Sequence, residues 1–286
     1  IGHGGFATDI AVMTYSQRNW AGTDLDTLSH HEIVHVLDRH LNPGPRPSIL
    51  SEGMAVYLAG GHYSPGDPLE RAAALLALDW YLPITDITNN FYAAQHEIGY
   101  MEAAGLVAYL DQVWGWEAFL DFYFNLEEGE NDSDEISSGL QNRFGMDLAE
   151  LEADFIAYLG NIHPDQQIID DVRLSVETYD MIRRYQRLLI PSAHFRSAWW
   201  PPIDQMMKEG IVGDYAIREK APIHVIIENL FLESHAAFDG GEYEIVEENL
   251  IRIDQYLNLI EASESAISHY AIGWPFPTIH GKSLRP

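Results

Sequence analysis

Apolar residues recur along most of this chain at spacings of three and four, the pattern of helices that bury one face. A first helix carries Leu25, Leu28, Val34 and, between them, His31 and His35. Thr23 or Asp24 can cap it, and Asn42-Pro43-Gly44-Pro45 breaks it. A second starts near Pro47-Ser48, carries Ile49-Leu50-Ser51-Glu52-Gly53-Met54 and stops at Gly60-Gly61. Leu69 to Tyr81, Ala93 to Trp114, Trp116 to Leu126, Glu135 to Phe144 and Leu148 to Leu159 continue the helical series, with 82–92 read as loop. Beyond Gly160 to Pro164, Asp170 to Leu189, Ile223 to Phe238 and Tyr243 to Ile260 are helical. The last two meet across Asp239-Gly240-Gly241 as a hairpin. Between 189 and 223 lies a Pro- and aromatic-rich connection, Pro191 to Pro202, and the tail from Trp274 is read as irregular.

One stretch breaks the helical rule. Thr8-Asp9-Ile10-Ala11-Val12-Met13-Thr14-Tyr15 is β-rich and predicts a strand after a glycine-rich loop. The expected class is therefore α+β, mainly α. Residues 1–163 would form one domain with a small N-terminal sheet, and 164–286 a second, all-helical domain.

Composition narrows the chemistry. The 286 residues include no cysteine, so a metal would have to be held by His and carboxylate. Net charge is −28, unevenly spread: residues 1–160 hold 5 Arg, no Lys and 25 Asp or Glu, and the remainder 11 basic and 19 acidic residues. Such a field repels nucleic acid and anionic membranes. A cationic substrate would be favoured by it, but a solvated acidic surface is the plainer account. No apolar run reaches the length of a membrane span. The chain opens on Ile1 rather than Met, which raises the expectation of a removed targeting segment and an extracytoplasmic or secreted location.

The chemistry concentrates in His31-Glu32-Ile33-Val34-His35. Positions i and i+4 share a helix face, so two imidazoles there can grip one ion while Glu32 reaches a water on it. A catalytic zinc takes three protein ligands and keeps a position open. A third histidine downstream would follow a Gly three places after His35, but Asp38 and Leu41 stand at the two required places and His40 is one short. Glu52, on the helix folded back by the Pro-Gly turn, fits as the third ligand. His30 points away as packing or surface. His62 and His96 could reach the cleft as donors, although plain loop and helix roles are preferred for them. Trp199 and Trp200 are read as packing.

Pro47-Ser48-Ile49-Leu50-Ser51-Glu52-Gly53-Met54-Ala55-Val56-Tyr57 resembles the P-x-W-L-x-E-G-x-A-x-Y segment of peptidase MA-like gluzincins, with Ile49 where Trp is usual. Tyr100 to Leu110 resembles their following helix. Gly115 to Leu120, Phe144 to Leu148 and Glu150 to Phe155 follow in the same order, so the resemblance covers about residues 6–160. It implies a zincin-like domain in which His31, His35 and Glu52 bind Zn2+, Glu32 is the general base and Tyr100 stabilises the oxyanion. The substrate would be a peptide or protein. The chain departs from the pattern at Val56, where some relatives carry an acid that orients a ligand histidine. Asp38 could replace it, although a solvated helix residue is the plainer reading. Most strands before the zinc helix are also missing; the one expected would line the cleft and pair with an extended substrate. The sequence thus points to a zinc metallopeptidase. The alternative is a non-catalytic zinc-binding scaffold that acts through its helical C-terminal domain, and a closed structural site would need a fourth ligand that is not evident.

Overall fold

A computed structural model of the protein describes residues 5–7, 11–13, 25–42, 44–62, 66–189 and 222–272. Its centre is a helix, α5 (His96–Trp114), in which residues 101–110 are all buried. A helix apolar on every side has to be wrapped by others. Small residues let them come close. A Cβ on Gly53 of α2 (Ser48–Ala59) would lie 2.3 Å from the Ala103 carbonyl oxygen, and one on Gly105 would lie 2.5 Å from Ala72 Cβ of α3 (Pro68–Ala77). Both contacts require glycine because the facing atoms leave no room for a side chain.

Around this core lie α1 (Leu25–Leu41), the short α4 (Ile84–Ile87) with a 3₁₀ segment over Thr88–Ala93, α6 (Trp116–Phe124), α7 (Asp132–Phe144) and α8 (Leu148–Leu159). Ile49, Leu106, Leu110, Phe119, Tyr123 and Phe155 belong to one apolar cluster. α8 begins with a capping box, in which the Asp147 side chain accepts from Glu150 N–H and the Glu150 side chain accepts from Asp147 N–H.

α9 (Gln166–Leu189) serves two clusters. Val172 and Val176 pack with Leu75 and Met101, whereas Leu174, Ile182 and Tyr185 pack with α10 (Pro222–Gly240) and α11 (Tyr243–Ile272). Asp171 ties the junction, meeting Arg71 at 2.6 Å and accepting from the Tyr243 hydroxyl at 2.9 Å.

The expected α+β class is overturned. The strands among the described residues are one antiparallel pair, β1 (Gly5–Ala7) with β2 (Ala11–Met13), three residues each. A single hairpin of that length forms no layer, and the described apolar clusters are built from helices and their connections. The fold is all-α, not a zincin-like domain with an N-terminal sheet. Within the strand expected over 8–15, Ala11–Met13 is a strand; Thr8, Asp9, Ile10, Thr14 and Tyr15 lie outside the described residues, as do Thr23, Asp24, Pro191 to Pro202 and the tail from Trp274. The stretch read as loop, 82–92, is largely helical. α5 starts at His96, three residues later than expected, where the Gln95 side chain accepts from Ile98 N–H. None of the described helices is long and apolar enough to cross a membrane.

Candidate metal centre

α1 turns its polar side inward. Thr27, His31, Glu32 and Asp38 are buried, while Ile33, Leu37 and Leu41 are exposed. This corrects the expectation that the histidines sit on an apolar face, and it leaves several buried polar groups in need of partners. After α1, buried Asn42 organises the turn, its Oδ1 accepting from Gly44 N–H at 2.9 Å and its Nδ2 donating to the Pro45 carbonyl at 3.3 Å. α2 then runs back along α1, with Ser48 N–H donating to Asp132 of α7 at 3.1 Å.

The packing brings together the three side chains expected as ligands. His31 Nε2 and His35 Nε2 are 3.1 Å apart, and Glu52 Oε2 lies 3.3 Å from the first and 3.2 Å from the second. Donors bound to one tetrahedral ion at about 2.0–2.1 Å lie about 3.3–3.4 Å from one another. Two imidazoles and one carboxylate oxygen meeting at that spacing fit zinc, and no thiolate is required.

Electrostatics divide the roles. Burial opposes ionisation of Glu52, but the His35 and His31 imidazoles outweigh it and hold the carboxyl well below its ordinary range. Burial lowers His31 to about 4, with His35 adding to the shift. Burial also opposes charge on His35, but Glu52 overrides it and raises this histidine instead. Each group thus favours the charged form of the other, as in a buried imidazolium–carboxylate pair. Glu32, beside the pair and 5% exposed, is pushed up to about 7, chiefly by burial.

Outer contacts orient the ligands. Glu52 Oε1 accepts from the Tyr92 hydroxyl at 2.7 Å, which leaves Oε2 turned to the histidines. His35 Nδ1 lies 3.5 Å from Ser51 Oγ; that hydroxyl donates to Asp38 Oδ2 at 3.4 Å, and the Tyr123 hydroxyl donates to the same oxygen at 2.9 Å. Asp38 is only 3% exposed, so the solvated reading of it is wrong. Val56 is buried, and Asp38 occupies the orienting position instead, reached through Ser51. His31 Nδ1 is buried with no hydrogen-bond partner among the described residues. Tyr92 and Tyr123 were not legible in the sequence, because each meets its carboxylate from a distant segment.

Tyr100 is half-buried, its ring centroid 6.3 Å from that of His31. It stacks on His62 at 4.3 Å and on His96 at 4.5 Å, so both histidines given plain roles lie beside the site. With Glu97 they form a second group whose donor atoms lie within 4.8 Å of one another. His30 is exposed, as expected. Comparison with known protein families, curated proteins and solved structures finds no match for this chain.

Proposed function

We propose that the protein is a zinc-dependent peptidase in which His31, His35 and Glu52 hold the ion and Glu32 is the general base. The observation that supports this best is the meeting of three donor atoms at 3.1–3.3 Å beside buried Glu32, on the helix that carries both histidines. An ion held there would supply a Lewis acid, polarising a peptide carbonyl and acidifying water. The remaining work falls to side chains. Glu32, buried beside the ligands, can take the proton of the attacking water and return it to the leaving amine. Tyr100 is assigned as hydrogen-bond donor to the oxygen that becomes negative. Tyr92 keeps Glu52 oriented through Oε1.

Metal analysis paired with cleavage of a broad peptide library tests this, comparing wild type with Glu32→Gln. The expected result is stoichiometric zinc in both proteins and cleavage reduced at least ~10²-fold in the variant. Zinc in both with cleavage in neither would replace the peptidase by a non-catalytic zinc-binding scaffold. Absence of zinc, with His31→Ala changing neither metal content nor stability, would end both readings.

A further inference from the structure

The second histidine group has its own geometry. His62 follows α2, and His96 and Glu97 open α5. Glu97 is 2% exposed and its two oxygens are divided between the imidazoles. His62 Nδ1 lies 3.3 Å from Oε2 and His96 Nδ1 lies 3.1 Å from Oε1. A carboxylate that grips an ion through both oxygens leaves room for one imidazole nitrogen on each flank, and the contacts here have that arrangement. Both histidine side chains are largely buried, at 12% and 13% exposure. Their rings are held in place: each stacks on Tyr100, and His96 also stacks on Tyr179 of α9 at 4.6 Å. Glu97 also lies in the first turn of α5, at the positive end of the helix.

We propose that His62, His96 and Glu97 form a second divalent-cation site, sharing no ligand with His31, His35 and Glu52. Two imidazole nitrogens and a carboxylate suit zinc or a neighbouring first-row ion better than calcium or magnesium. The ion would clamp the segment after α2 to the first turn of α5, and a chain of net charge −28 concentrates cations around it.

The test counts ions in the full chain, loaded with zinc and dialysed. Wild type should keep two per chain, and Glu97→Gln, His62→Ala and His31→Ala one each. A wild type holding a single ion that His31→Ala removes and Glu97→Gln leaves in place overturns the proposal. The outcome is separable from the peptidase reading, because an ion kept by His31→Ala and lost in Glu97→Gln sustains this site alone. If Glu97→Gln does not fold, zinc-edge anomalous scattering from zinc-soaked wild-type crystals decides. A peak among the three side chains sustains the site, and its absence overturns it.

Discussion

His31, His35 and Glu52 bring their donors to one point, with both nitrogens on a single carboxylate oxygen, whereas His62 and His96 take opposite oxygens of Glu97. The first trio comes from the regular geometry of two packed helices. Its histidines are one turn apart on α1, and its glutamate is set by how closely α2 approaches. The second joins the start of a helix to a segment outside one. Both place imidazoles beside a buried carboxylate, which favours its charged form, whereas burial without such a partner favours the protonated one. Glu102 is the second case. It is fully buried, has no imidazole beside it, and its carboxyl is raised well above the ordinary range by burial, with Glu152 adding to the shift.

The sharpest break of this comparison is loss of the shared oxygen. Glu52→Ala should remove the ion of the first trio and lower peptide cleavage by about 10³-fold or more, read by metal content and hydrolysis together. Retention of both would show that α2 supplies no ligand. Next in size is the orienting chain. Ser51→Ala and Asp38→Asn should each weaken zinc affinity by roughly 10–100-fold in a competitive chelator titration, and the pair should be less than additive because both act through His35.

The dependence on helix packing is tested at Gly53. Gly53→Ala sets a Cβ against the Ala103 carbonyl and should cost about 1–3 kcal/mol in urea unfolding, with weakened zinc affinity as α2 shifts. An unchanged midpoint would mean that α2 and α5 can separate freely. The smallest effect concerns Glu102. Above pH 4.5 the unfolded chain releases this proton while the folded chain keeps it, so stability falls as pH rises toward the folded value. Glu102→Gln should flatten that slope and stabilise the protein by roughly 1 kcal/mol at pH 8, measured as the pH dependence of the denaturation midpoint. An unchanged slope would assign the pH dependence to other groups.

Much of the helical order was legible because it depends on near neighbours. The Leu148–Leu159 helix is announced by Asp147 and Glu150, and Gly241, at φ 68°, closes α10 onto α11 where a hairpin was expected. The pairing of His31 with His35, and the return of Glu52 across the Pro-Gly turn, follow from the same short-range rules. The missed features have long-range causes. α4 and the 3₁₀ segment follow Pro83 and include Asn89 and Asn90, weak helix formers, and buried Ile84, Ile87 and Phe91 hold them against the core. Tyr92 meets Glu52 across 40 residues, and Tyr123 meets Asp38 across 85. The expected sheet failed because the β-forming side chains of 10–15 state a preference, while a sheet needs partners to pair with.

By itself the sequence determined that His31, His35 and Glu52 could meet around a metal and that helices would carry them, since helix periodicity and turn chemistry act over a few positions. Only the tertiary structure decided that α1 faces inward with its polar side, that Asp38 is buried behind Ser51, and that His62, His96 and Glu97 meet beside Tyr100. Those facts depend on close packing around α5, where glycines at 53 and 105 set which helices touch and therefore which polar groups must satisfy one another out of water.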